Sequence, residues 1–156
     1  ATGVSQEAND KEQLKPIMER LKANLKGAKP ERVTTDNGYF SEDNVTYLAQ
    51  ERIDGYVATG RIKHGDKPLA VPRGRIPKEA TLKERMSRKL RTLKGRAIYA
   101  KRKEISEPVF GQIKQVRGFR QFLLRGLRKV SAEWDLICLG HNLLKLFRST
   151  LRPAIA

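Results

Sequence analysis

The sequence predicts an α/β domain, and three observations carry that prediction. A β-like run at residues 32–35 ends at Asp36 and is followed by a capped helical stretch and a second β-like run, GYVAT, at 55–59. Apolar residues on either side of this unit recur at three and four positions, the period of a helix packed on one face. The single 60–77 stretch rich in Gly and Pro, GRIKHGDKPLAVPRGRIP, separates the strands from the later helices and reads as a loop or insertion.

The elements follow in order. Asn9 or Asp10 can cap a first helix whose apolar positions are Leu14, Ile17, Met18, Leu21 and Leu25. Pro16 either kinks that helix or opens its regular part, and Gly27 and Pro30 close it. The 32–35 strand delivers Asp36 to its C-terminal end, where sites of α/β sheets lie. Ser41, with Glu42 and Asp43 behind it, caps a helix over 42–52. Past the loop, Leu82, Met86, Leu90 and Leu93 stripe a basic helix that Gly95 is expected to break. A further helix resumes near Arg96, and Pro108 is expected to kink it or start a fresh helix, which would put Glu107 beside free N–H groups. Leu123, Leu127, Val130, Trp134, Ile137, His141 and Leu144 mark the seam of a long last helix. Leu136, Leu139, Leu143 and Phe147 add apolar surface and predict that its second half is buried on most sides.

At 156 residues the chain is long enough for one domain with a core, and it is read as one unit. Lys and Arg number 33 against 17 Asp and Glu, a formal charge of +16. Residues 78–129 hold 17 of those cations and 4 acids, so the charge is regional and points to a nucleic-acid partner. A polar start and the lack of a long apolar run predict neither a signal peptide nor a membrane span. Cys138 is the one cysteine, which excludes an internal disulfide and a paired-cysteine metal site and suits a reducing, cytosolic compartment.

The segment YAKRKEISEPVFGQIK, residues 99–114, gathers Tyr99, Arg102, Glu107 and Lys114 in the most basic part of the chain. Helical spacing puts Glu107 and Lys114 on one face, with Tyr99 and Arg102 two turns upstream on a neighbouring arc. A carboxylate flanked by Arg and Lys suits a divalent cation held beside a polyanion.

Together with VTTDNGYFSEDNV at 33–45 and the tail RGFRQFLLRGLRKVSAEWDLICLGHNLLKLF, this segment resembles the C-terminal half of bacterial insertion-sequence DDE transposases. The resemblance rests on Asp-x-Gly-Tyr and Tyr-x-x-Arg…Glu-x6-Lys elements and covers nearly the whole chain. It implies the later part of an RNase H-like catalytic domain over 1–156, with its first strands missing, a loop and basic helical insertion at 60–95, and a long C-terminal helix. It also implies Mg²⁺, with Mn²⁺ as a substitute, on three carboxylates: Asp36 would be the second acid and Glu107 the third, both catalytic and both metal ligands. Tyr99, Arg102, Lys103 and Lys114 would contact DNA. The commonest form of the signature has three residues between Arg and Glu; here four separate Arg102 from Glu107, and Lys103 holds the three-residue position.

By the same resemblance the partners are transposon ends and target DNA, the full-length enzyme is a homodimer, and the location is cytoplasmic, with the nucleoid. The first acid would lie on a strand before this chain begins, so the expected chain is a fragment of a longer enzyme or a remnant, inactive alone, with Asp10 read as a cap. The rival expectation is a non-enzymatic basic DNA-binding protein whose acids serve only as caps and ion pairs.

Other residues carry plainer expectations. His141 and Trp134 fall in the seam as a hydrogen-bonded core histidine and a core anchor; Cys138 reads as a small apolar side chain and His64 as a solvated loop residue. No Ser-His-Asp or Cys-His set and no Gly-rich phosphate loop is recognisable.

Overall fold

The computed structural model describes residues 3–7, 9–60 and 69–151, which excludes His64 and part of the 60–77 stretch. The chain divides into two compact units, residues 7–106 and residues 107–156 with 1–6. Among the described residues the structure is mixed α/β, mostly helical, with one two-stranded parallel sheet. None of these helices is long and apolar enough to cross a membrane.

In the unit 7–106, Asn9 accepts a hydrogen bond from the Lys11 N–H at 3.3 Å and so caps a 3-10 turn, Asp10–Gln13. This corrects the reading of Asp10 as the cap: it stands one position inside the turn that Asn9 caps. Helix α1, Leu14–Asn24, follows directly, and Pro16 sits in its first turn, where the missing N–H had no helical partner. Leu14 and Met18 are buried from it. Strand β1, Arg32–Thr35, and strand β2, Asp54–Val57, pair in parallel from Arg32↔Asp54 to Thr35↔Val57, joined through helix α2, Glu42–Gln50. The Ser41 hydroxyl caps α2 by accepting from the Asn44 N–H. Leu14, Met18, Leu48, Ile53, Val57 and Met86 form the core between these elements and helix α3, Leu82–Arg91.

Helix α3 starts at a capping box in which Thr81 and Glu84 satisfy each other's backbone N–H groups. Lys89 ties it to the sheet: its ammonium donates to Asp54 Oδ1 at 2.5 Å and to the Gly55 carbonyl at 2.8 Å, and lies 4.3 Å from the Tyr56 ring centre. The break after α3 falls at Thr92, not at Gly95, because extended backbone at Thr92 ends the helix and its hydroxyl then accepts from the Gly95 N–H at 2.9 Å. Gly95 lies inside the next helix, α4, Leu93–Gly111, where a β-carbon would stand 2.0 Å from the Lys89 carbonyl oxygen. Only Met86 of the expected stripe is buried; Leu82 and Leu93 are exposed.

Helix α4 runs through Pro108 without a fresh start. Proline removes one backbone donor and crowds the preceding turn, and the helix carries that cost rather than ending. Glu107 is therefore an interior helical residue, not one beside free N–H groups.

In the unit 107–156 a π-helical turn, Gln112–Val116, continues from α4. The last helix, α5, spans Leu127–Leu151. It begins four residues later than expected, since Gly126 takes φ 83° and Leu123 and Leu124 instead donate their N–H groups to the Glu133 carboxylate. Trp134 anchors the unit, stacked on Phe110 and edge-on to Phe122, each with ring centres 6.2 Å apart. Ile113, Ile137 and His141 are buried, but His141 Nδ1 has no hydrogen-bond partner, so the expected bonded histidine is corrected to a buried one with an open nitrogen. The second half of α5 is not buried on most sides: Leu136 and Leu143 remain 68% and 57% exposed, and Leu139 and Phe147 share their face. Cys138 is partly buried, and burial pushes its thiol pKa up.

Candidate functional site

Asp36 leaves the C-terminal end of β1, its Oδ1 accepting from the Gly38 N–H at 3.0 Å to cap the 3-10 turn Asn37–Tyr39. This turn packs on the Asp10–Gln13 turn. A β-carbon built on Gly38 would meet Asp10 Oδ2 at 2.9 Å and Asp36 Oδ1 at 3.2 Å. Two carboxylates therefore converge on the space that glycine leaves vacant.

One buried amide holds the two turns together. Asn44, 3% exposed, donates through Nδ2 to the Lys11 carbonyl at 2.8 Å and to the Tyr39 carbonyl at 2.9 Å. These carbonyls flank the two carboxylates, so the relation between Asp10 and Asp36 follows from a core side chain rather than from loop chance.

Two tyrosines complete this side of the unit. Burial, then the charges of Asp10 and Asp36, push the Tyr39 hydroxyl above its ordinary pKa. Burial likewise raises Tyr99, which feels Asp36 against it and Arg102 in the opposite direction. Both hydroxyls are protonated at neutral pH and remain donors. Arg102 lies over the Tyr99 ring, 5.5 Å from its centre, and its buried Nε has no acceptor.

Of the residues singled out from sequence, the structure thus brings Asp36, Tyr99 and Arg102 into one electrostatic neighbourhood. Lys103 follows on α4 and is exposed. Glu107 and Lys114 belong to the other unit; Glu107 is exposed on α4, and the Lys114 ammonium sits 5.6 Å from the Phe110 ring centre. Sequence reasoning missed the bridging role of Asn44, and at the first turn Asn9 rather than Asp10 is the cap.

The basic region divides by use. Arg85 donates to the carbonyls of Ala80 and Lys78, Arg88 to those of Arg73 and Gly74, and Arg96 to that of Leu69, so these arginines pin the 69–81 segment to α3 and α4. Lys83, Lys94, Lys101 and Lys103 are exposed and make no ion pair with any described residue.

Residues 73–147 match the family model of the transposase DDE domain, a stretch running from before α3 to near the end of α5. No curated protein and no solved structure matches the chain. The match supports a DDE-type transposase domain, a class that uses divalent metal ions and acts on DNA. Among the described residues no group of three or more His, Cys, Asp or Glu side chains gathers as a metal site. Asp36 supplies a hard carboxylate oxygen of the kind such ions take, and no Lys or Arg among the described residues forms an ion pair with it.

Proposed function

We propose that the chain serves DNA transposition by metal-dependent phosphoryl transfer, as the later part of an RNase H-like catalytic domain of an insertion-sequence transposase. The observation that carries this reading is the placement of Asp36 at a strand end beside Tyr99 and Arg102, residues that a transposase DDE match reaches independently from the α4 side. Asp36 and Glu107 would hold Mg²⁺, with Mn²⁺ as a substitute. Bound there, the ion supplies Lewis-acid polarisation of the phosphate and an activated water.

The chain's own residues do the rest. The Arg102 guanidinium, half-buried over the Tyr99 ring, adds positive charge for a phosphate, the Tyr99 hydroxyl donates beside it, and Lys103 and Lys114 add charge along the DNA backbone. Asp36 keeps its geometry because the Gly38 N–H fixes Oδ1. The partners are transposon ends and target DNA, the assembled enzyme is a homodimer, and the location is the nucleoid of the cytoplasm.

End recognition tests the reading. Arg102→Ala and Tyr99→Phe should weaken binding to a duplex with a free 3′-hydroxyl end more than to a duplex closed by hairpins, measured by fluorescence anisotropy. Equal losses on both would favour a plain basic DNA-binding protein.

A further inference from the structure

The cations of helix α3 are engaged unequally. Arg85, Arg88 and Lys89 give their donors to backbone carbonyls or to Asp54 and so serve the fold. Lys83 and Arg91 form no ion pair with any described residue, and with Thr59, Glu84 and Ser87 they line one recess of about 340 Å³. Positions 83, 87 and 91 are four apart and form one stripe of the helix, on which side chains lean toward the N-terminus. Thr59, Ser87 and Arg91 are half-buried there, with Lys83 at the rim. The one acid of the recess is already occupied: the Glu84 carboxylate accepts from the Thr81 N–H at 2.8 Å and from its hydroxyl at 3.0 Å, bonds that hold its pKa below the ordinary value. Two cations against that one tied acid leave the recess positive.

We infer that this recess seats a backbone phosphate of DNA, at a contact separate from Asp36, Tyr99 and Arg102. Two cations and two hydroxyls around one concavity suit a tetrahedral oxyanion, whose oxygens take several donors at once. The sheet says which stretch of DNA is meant. Asp36 follows β1 directly, and Thr59 stands two residues past β2 at the same end of the parallel pair, where the Ala58 N–H donates to the Thr35 carbonyl at 3.2 Å. Neighbouring strands are about 4.8 Å apart, so Asp36 and the recess open on one edge of the sheet. A DNA strand held at Asp36 would carry its next phosphates across Thr59 and α3. This inference rests on the reading of the chain as a DNA-acting domain and adds to it helix α3 as the grip on the strand adjoining the end.

Anisotropy of the full chain with a set of 3′-hydroxyl-ended duplexes, each carrying one uncharged methylphosphonate in place of a backbone phosphate, tests this. For the wild type, neutralising a phosphate near the end should weaken binding by about threefold or more. Lys83→Gln and Arg91→Gln should each weaken binding to the unmodified duplex by a similar factor and become indifferent to that same position. Ser87→Asp, which sets an acid among the cations, should do likewise. Arg102→Ala should stay sensitive to it, which separates the recess from end recognition. A position shared by Lys83 and Arg91, in a chain whose preference for ends is unmoved by Arg102→Ala, would uphold the recess and count against the transposase reading alone. Circular dichroism confirms that each variant is folded; should the half-buried Arg91 prove necessary for folding, Lys83→Gln and Ser87→Asp carry the test. Variants that respond to every neutralised position as the wild type does, or that lose affinity with no position in common, would overturn the proposal.

Discussion

Asn44 and Lys11, 33 positions apart, are joined by a 2.8 Å hydrogen bond from a buried side-chain amide to a backbone carbonyl. The same nitrogen reaches the Tyr39 carbonyl, so one residue sets the distance between the turn carrying Asp10 and the turn carrying Asp36. Removing the amide leaves both carbonyls short of a donor in a place water reaches poorly. Asn44→Ala should cost about 2–3 kcal/mol in urea unfolding. A loss below about 0.5 kcal/mol would show that the two turns hold their places without it.

The Asp54–Lys89 contact makes a pH-dependent contribution. Burial pushes the Asp54 carboxyl up, but hydrogen bonds from Lys89 and Tyr56 outweigh it and hold its pKa below the ordinary 3.8. A depressed folded pKa gives stability that is present above pH 3.8 and is lost as the pH falls through the folded value. Both partners are more than a third exposed, so the pair is screened. Lys89→Met should cost about 1 kcal/mol at pH 7, and the difference from wild type should shrink below pH 3.8. A difference constant from pH 7 to pH 3 would assign the loss to packing.

Two glycines of α4 should respond in opposite ways. Gly95→Ala drives a methyl into the Lys89 carbonyl, which is backbone and cannot turn aside, and should cost about 2–4 kcal/mol. Nothing stands within 4 Å of the methyl that Gly111→Ala would add, and Gly111 has helical φ and ψ, so that change should stabilise by about 0.5–1 kcal/mol. Thermal melts of the two variants check both signs.

Much of the site's first half was legible in the sequence. The strand and the helix around Asp36 are set by local chemistry, a β-branched run and a Ser that caps α2, and both appear as expected, while the turn that Asp36 caps is added by the structure. Asp10 was not legible, because its place depends on a bond from Asn44 made only once the core has closed. Of the two outcomes expected at Pro108, a kink or a fresh helix start, the fresh start does not occur: proline lowers the helical preference locally, and longer-range structure overrides it. On α5 two apolar stripes share the same three-and-four spacing, and periodicity does not say which one packs. Trp134, Ile137 and His141 face inward, while Leu136, Leu139 and Leu143 face out.

The division of the basic residues predicts which charges DNA feels. Affinity should fall with salt at a log–log slope of magnitude about 4 or more. Lys101→Gln and Lys103→Gln should each reduce that slope by about 1. Arg88→Gln, whose guanidinium serves the Arg73 and Gly74 carbonyls, should lower the melting temperature and leave the slope unchanged. Equal slope changes in all three would mean that the arginines also grip phosphate.

Cation dependence of DNA binding separates a metal-dependent transposase domain from a basic DNA-binding surface most directly. Anisotropy of a 3′-hydroxyl-ended duplex should be measured at fixed ionic strength in EDTA and in Ca²⁺, an oxygen-seeking ion that supports binding. The prediction is several-fold tighter binding with Ca²⁺ for the wild type, and loss of that gain in Asp36→Asn and in Glu107→Gln with affinity in EDTA unchanged. Equal affinity in EDTA and Ca²⁺, or a gain that survives both substitutions, would contradict it.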